Sequence, residues 1–144
     1  MALRGRIVRA ASPFLMADEV VEVATVAAVG KVSATKKIAV ATFAALLTSG
    51  ILQVYLSAPR RPVVLTNRRL LLLDANEITG RPKSKLVAAL PREGLRAEQQ
   101  HALLWRIYDL VDGRGVGLLR LSFPLPNRRA GDQIAETLGV LSRQ

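Results

Sequence analysis

Residues Val63–Leu73 read VVLTNRRLLLL, two apolar runs with the polar segment Thr66–Arg69 between them. Each run has the length of a short strand, and Asn67 suits a tight turn because its side chain tolerates the left-handed backbone conformation. The stretch therefore predicts a hairpin of two short strands. Pro59–Pro62, directly before it, predicts a bend.

Further strand patterns lie on both sides of this hairpin. Val20–Val29 is rich in β-branched residues, which favour strands. After the hairpin, Lys85–Leu90 has the character of a strand, and Leu104–Val111 and Val116–Phe123 predict a second hairpin around a glycine-containing turn. The polar stretch between them, Arg92–His101, predicts irregular chain.

A short basic amphipathic helix is predicted within residues 1–17. Its apolar positions repeat at helical spacing and form one stripe: Leu3, Ile7, Ala10 and Phe14. Three arginines lie mostly off that stripe: Arg4, Arg6 and Arg9. The helix is either a membrane-surface or partner-binding arm, or an element that packs its stripe on the domain and leaves its arginines in water. Pro13 closes it in both interpretations.

The remaining patterns predict a closing helix and, with it, the fold class. Asn127 is placed to cap a helix whose apolar face is Ile134, Leu138 and Leu141. Residues 18–144 are thus predicted to form a mainly β domain of about seven antiparallel strands, a barrel or sandwich capped by the C-terminal helix.

The composition is that of one small, strongly basic domain. The 144 residues provide a single core, half of them are apolar, and no cysteine is present for disulfides or thiolate metal sites. The net charge of +10 draws the domain toward polyanions such as anionic lipid, nucleic acid or acidic protein. No export signal is recognisable near the first residues, so we expect a cytoplasmic location at the inner face of the membrane.

One long uncharged segment, Ile38–Ala58, has two interpretations, which both stay open. A helix of this length rises about 30 Å, the thickness of a bilayer core, so membrane insertion is compatible with its length. The alternative divides the segment at Ser49, with a helix at Thr35–Leu47 before it and a half-buried strand at residues 52–57 after it. In that case residues 35–58 form an apolar insert after the first strand of a soluble domain.

The inventory of reactive groups does not predict an enzyme. His101 is the only histidine and lies among polar residues, which excludes a histidine-rich metal site. Asp109 and Asp112 lie near the second hairpin turn, where aspartates are common for backbone reasons, and Gly113–Gly115 lies between strands rather than before a helix. We expect no catalytic, cofactor-binding or metal-binding residues and no small-molecule substrate.

The quoted stretch resembles the signature of bacterial pleckstrin-homology-like (PH-like) and GRAM-like domains. In that family an apolar strand ends in Thr, turns through a polar residue and Arg, and continues as a second apolar strand, which matches Thr66, Asn67, Arg68 and Arg69. The resemblance extends over residues 18–141. It implies a barrel of two antiparallel sheets, closed at one end by the C-terminal helix, that binds phosphoinositides, membranes or proteins and catalyses no reaction. It also permits homo-oligomers.

Many lipid-binding members of that family use basic residues around the loop after the first strand. The resemblance implies that the corresponding residues here are Lys31, Lys36 and Lys37. This chain departs from the family by carrying a long apolar insert in that loop.

Four arginines flank the first strand of the quoted hairpin: Arg60, Arg61, Arg68 and Arg69. They are either solvated edge charges that discourage strand aggregation or, in the case of Arg68 or Arg69, partners for turn carbonyls or an internal carboxylate.

Two function hypotheses of different classes follow. In the first, the domain lies on a membrane, and the apolar insert enters the interface through residues such as Phe43, Leu46, Leu47 and Ile51. The cations around the insert then meet anionic headgroups: Lys31, Lys36, Lys37, Arg60 and Arg61. In the second, the insert is a protein interface through which the domain self-associates. Nucleic-acid binding is a weaker third hypothesis that rests on charge alone.

Overall fold

The computed structural model describes residues 2–30, 60–76, 78–100 and 105–141. The strands are β1 (Val21–Gly30), β2 (Arg60–Thr66), β3 (Arg69–Ala75), β4 (Pro82–Pro91), β5 (Arg96–Gln100), β6 (Arg106–Val111), β7 (Gly117–Phe123) and β8 (Val140–Leu141). The helices are α1 (Leu3–Ala11) and α2 (Arg128–Leu138), and Ser12–Phe14 and Leu125–Asn127 form 3₁₀ turns. The predicted helix and strand of the insert lie outside the described residues, as does His101.

The strands form one sheet in the order β4-β3-β2-β1-β7-β6-β5-β8. β1 to β7 are joined by antiparallel pairs, and the short β8 adds to β5 in parallel. The prediction of a mainly β domain with a short N-terminal helix and a C-terminal helix is confirmed. The quoted hairpin is confirmed as β2 and β3, since Leu65 pairs with Leu70 across the turn. Strand pairing within the described ranges leaves β4 and β8 as edges, so the sheet is not closed.

The C-terminal helix α2 covers one face of the sheet. Its residues Ile134, Ala135 and Leu138 are buried in a core to which β1 to β7 all contribute. Asn127 stands at the predicted start of α2, but its side chain makes no capping bond there. Its Nδ2 instead donates to the carbonyl oxygen of Val26 at 3.0 Å, which ties the start of the helix to β1.

The N-terminal helix α1 covers the opposite face of β1 to β4. Ile7, Ala10 and Ala11 are buried in a second core, in which the strand residues include Val64, Leu71 and Leu73. Neighbouring strand positions point to opposite faces. Because both faces of β2 and β3 are buried, the quoted stretch is apolar at consecutive positions rather than at alternate ones.

The stripe of α1 packs on the domain only in part. Ile7 and Ala10 are buried, as the packing interpretation predicts, whereas Leu3 is 45 % exposed. The three arginines of the helix are exposed, and the α-helix ends at Ala11, before Pro13. Neither described helix is long and apolar enough to cross a membrane.

The prediction of irregular chain at Arg92–His101 is wrong, because Arg96–Gln100 forms β5. This strand is polar and buries only Ala97 and Gln100. β5 pairs with β6 over its whole length. Its extended conformation therefore comes from pairing with β6 and not from an apolar pattern in its own residues. Sequence periodicity detects strands of this kind poorly.

The predicted bend before the hairpin is also wrong where the structure describes it, since Arg60–Pro62 belong to β2. Pro62 pairs with Val26 of β1, whereas the pairing of β2 with β3 begins only at Val63. The missing N–H of Pro62 therefore falls where β2 has a single neighbouring strand, a position that tolerates proline.

Gly131 of α2 provides a test of the α2 core. Replacing a helix-interior glycine by alanine ordinarily stabilises a protein by about 1 kcal/mol. Here a Cβ atom would lie 2.5 Å from Cγ and Cδ2 of the fully buried Phe123 ring. We expect Gly131→Ala to lower the free energy of unfolding in urea by about 1 to 3 kcal/mol because of overpacking. Gly113→Ala, where a Cβ meets nothing within 4 Å, is the control. A Gly131→Ala protein as stable as the wild type would contradict this packing.

Candidate functional site

Much of the predicted contact set lies outside the part of the chain that the structure describes. These residues are Lys31, Lys36, Lys37, Phe43, Leu46, Leu47 and Ile51. Their contact with lipid or protein stays a prediction. The candidates within the described ranges are Arg60, Arg61 and the turn motif Thr66–Arg69.

Arg60 and Arg61 differ in environment although they are adjacent in β2. Arg60 is exposed, and its guanidinium carbon lies 5.7 Å from the centre of the Trp105 ring, a cation–π distance. Arg61 is only 6 % exposed, and its Nη1 donates to Oδ1 of Asp74 at 2.7 Å. The charge of Arg61 is thus neutralised inside the protein, and of the two only Arg60 offers its charge at the surface.

The motif Thr66–Arg69 forms the β2–β3 turn and binds the chain that precedes β1. The hydroxyl oxygen of Thr66 accepts the backbone N–H groups of Arg68 and Arg69 at 3.1 and 2.9 Å, which closes the turn. Asn67 Oδ1 accepts the backbone N–H of Val20 at 2.8 Å. The exposed side chain of Arg68 pairs with Asp18, also on that segment. The motif therefore has a structural role in this protein.

Arg69 makes the main contact between the turn and the preceding segment. Its Nε and Nη2 donate to the two carboxylate oxygens of Glu19 at 3.0 and 2.6 Å, and Nη2 also donates to the carbonyl oxygen of Phe14 at 2.7 Å. The hydroxyl of Thr66 donates to Glu19 Oε2 at 2.6 Å. Of the two interpretations of these arginines, the internal carboxylate is confirmed for Arg69.

The environment of Glu19 favours its charged form. The pKa of Glu19 is lowered from 4.5 to about 2, mainly by the hydrogen bonds from Arg69. Burial opposes this shift, whereas the hydrogen bonds from Thr66 and from the backbone N–H of Met16 add to it. The hydrogen bonds to Glu19 in turn raise the pKa of Arg69. Nothing in the sequence around Glu19 indicated this role, because its partners lie about 50 positions away in the chain.

Asp109 and Asp112 have separate structural roles. Asp109 is fully buried in β6, and Arg120 of β7 donates to both its carboxylate oxygens, at 2.6 and 3.1 Å. Asp112 Oδ1 accepts backbone N–H groups of Arg114 and Val116, which shapes the hairpin turn. Within residues 2–30, 60–76, 78–100 and 105–141, no group of three or more acidic, histidine or cysteine side chains is placed to hold a metal ion.

The described surface contains a set of arginines around one cavity, which we call the arginine groove. Arg6 and Arg9 of α1 and Arg81, directly before β4, line a cavity of about 320 Å³ together with Ala10, Pro82 and Ser84. All three arginine side chains are exposed. Arg6 and Arg9 are three positions apart in α1 and therefore lie on one side of the helix. Nothing in the sequence predicted that Arg81 lies beside them.

Exposed apolar residues lie beside the arginine groove. Leu3 and Ile78 line a neighbouring cavity of about 740 Å³ together with Arg60. Ile78 is 95 % exposed at the tip of the β3–β4 turn. Asn76 fixes this turn, because its Oδ1 accepts the backbone N–H groups of Ile78 and Thr79, each at 2.9 Å. Leu3, Arg60 and Ile78, together with the arginine groove, form what we call the basic-apolar surface.

No family model, curated protein or solved structure matches this chain.

Glu19 provides a test of the turn contacts through the dependence of stability on pH. Its pKa is lower in the folded protein than in the unfolded chain, so the carboxylate stabilises the fold above about pH 4.5, and this contribution is lost as the pH falls toward about 2. The shift corresponds to roughly 3 kcal/mol. We expect Glu19→Gln to lower the free energy of unfolding at pH 7 by about this amount and to remove most of the loss between pH 4.5 and 2.

The control is Glu93→Gln, which removes an exposed carboxylate from the β4–β5 turn. Urea denaturation at several pH values provides the measurement. A Glu19→Gln protein with wild-type stability at pH 7, or with an unchanged acid transition, would refute the assignment.

Proposed function

We propose that this chain is a non-enzymatic binding module that lies on anionic membrane surfaces through its basic-apolar surface. The observation that carries the proposal is the proximity of exposed apolar side chains, Leu3 and Ile78, to exposed arginines that line the same or the neighbouring cavity. A membrane interface offers both an apolar layer and anionic headgroups, and amphipathic surfaces of this composition bind there.

The charges of this surface are available to an external anion. Arg6, Arg9 and Arg81 make no side-chain hydrogen bond or ion pair within the described ranges. Each cation held near an anionic leaflet contributes about 1 kcal/mol of binding free energy. Together with Arg60, the groove arginines would supply roughly 4 kcal/mol, and burial of Ile78 would add an apolar contribution.

The predicted insert would enlarge the surface that contacts the membrane. The insert ends at Ala58, two residues before Arg60, where β2 begins on the same surface. Lys31, Lys36 and Lys37 would then add to the charge that faces the membrane. The proposal does not depend on the insert, because the basic-apolar surface consists of described residues.

We also propose that the domain is a PH-like barrel. Four strands that pair in chain order, β1 to β4, and three further strands, β5 to β7, are joined through the β1–β7 pair. Helix α2 contacts β1, β5 and β6, so it bridges both halves of the sheet. This arrangement supports the architecture that the resemblance implies, a strongly bent antiparallel sheet with a C-terminal helix over one end of its core.

Vesicle flotation tests the membrane proposal. We expect the protein to float with vesicles that contain about 30 % anionic lipid, which have a negative surface potential like that of a cytoplasmic leaflet. With neutral vesicles it should stay in the soluble fraction. Ile78→Ser removes the most exposed apolar side chain of the surface. Its affinity for anionic vesicles should fall about 5-fold, because part of an isoleucine side chain no longer enters the interface.

Val20→Ser is the matched control. Val20 is 61 % exposed but lies directly before β1, remote from the end of that strand that pairs with Arg60. Its backbone N–H donates to Asn67 Oδ1 of the β2–β3 turn. Its replacement should leave flotation unchanged. Equal recovery of the wild type in the soluble fraction with anionic and neutral vesicles would end the proposal.

A further inference from the structure

The arginine groove brings three arginine side chains to one cavity, and no acidic residue in the described part of the chain pairs with them. Of the arginines in the described ranges, six pair with carboxylates: Arg61, Arg68, Arg69, Arg92, Arg106 and Arg120. The groove arginines pair with none of the described acidic residues, although Arg6, Arg9 and Arg81 surround one cavity. Like charges that line one cavity repel one another, so an anion in the cavity would be stabilised by all three.

The walls of the groove are held in place by the fold. The hydroxyl of Ser84 in β4 donates to the carbonyl oxygen of Ala10 at 2.9 Å, which fixes the end of α1 against β4. Ile7 and Ala10 are buried in the core beneath α1. On the other side, Gly80 has a φ of 72° in the turn that places Arg81. The backbones that carry the arginines are thus in position before a ligand arrives, which lowers the cost of binding.

We propose that the arginine groove is a binding site for a phosphomonoester. This proposal rests on the proposed function and specifies the headgroup chemistry that the surface selects. A terminal phosphate carries a charge of about −1.5 to −2 at pH 7 and three acceptor oxygens. A phosphodiester carries a single charge and two unesterified oxygens. Three arginines, each able to donate two parallel hydrogen bonds, match the terminal phosphate better.

Lysine substitutions separate this recognition from general attraction by charge. The Arg6→Lys/Arg9→Lys/Arg81→Lys protein keeps its net charge but loses the paired donors of the guanidinium groups. The probes are vesicles with phosphatidic acid, a phosphomonoester lipid, and vesicles with phosphatidylglycerol, a phosphodiester lipid, adjusted to equal surface potential. We expect the wild type to bind phosphatidic acid vesicles about 10-fold more tightly, and the lysine variant to bind both alike.

The preference should also decrease below about pH 6, where the phosphomonoester loses its second charge. The control variant, Arg114→Lys/Arg128→Lys/Arg129→Lys, changes the same number of arginines in the β6–β7 turn and in α2, and none of these residues lines the groove. It should keep the wild-type preference. A wild type without preference at equal surface potential, or a lysine variant that retains the preference, would overturn the proposal.

A soluble ligand distinguishes failure of this site from failure of the membrane proposal. Calorimetric titration with glycerol phosphate, a phosphomonoester, is compared with titration with its methyl diester. Binding of the monoester alone, lost in the lysine variant, supports the groove even if the protein floats with no vesicle. If neither soluble compound binds and no vesicle preference exists, the groove proposal is wrong, whereas binding to all anionic vesicles would leave the membrane proposal intact.

Discussion

The buried pair of Glu19 and Arg69 is the interaction on which the rest of the structure depends. The Glu19 side chain has no exposure to solvent, and a carboxylate at such a site without partners would be strongly destabilising. Its partners come from the β2–β3 turn, so the segment before β1 can follow its path only when that turn has formed. Because Arg69 also binds the carbonyl oxygen of Phe14, the same pair holds the chain directly after α1.

The position of α1 then determines which surfaces the domain presents. Ser84 holds the end of α1, and Arg69 holds the chain directly after it. In this position the helix buries the outer face of β2 and β3 and keeps its arginines in solvent. The arginine groove exists only because α1 lies beside the β3–β4 turn. The motif Thr66–Arg69 therefore helps to position α1, and with it the surface through which we propose that the domain binds membranes.

The sequence predicted the elements whose residues carry local information. Both hairpins were recognisable, because their apolar runs are interrupted by turn residues such as Asn67. Strand β5 was not recognisable, because its residues are polar and form a strand only by pairing with β6. Glu19 and Arg81 could not be predicted for a similar reason: each acquires its role from partners distant in the chain. Asn127 was placed correctly at the start of α2, but its bond to Val26 depends on the tertiary fold.

At the candidate site, too, the sequence predicted local features but not those that depend on the tertiary fold. Net charge and the arginines of α1 indicated binding to an anion, but they did not indicate where on the surface the charges are free. Six arginines of the described ranges form ion pairs within the fold. Arg6, Arg9 and Arg81 form none of these pairs and line one cavity, so the groove is a local concentration of available charge. An NMR titration of the arginine Nε–H resonances with bicelles that contain phosphatidic acid tests this account most directly. We expect Arg6, Arg9 and Arg81 to shift first, while Arg114 and Arg129 stay unchanged; the largest shifts at Arg114 or Arg129 would contradict it.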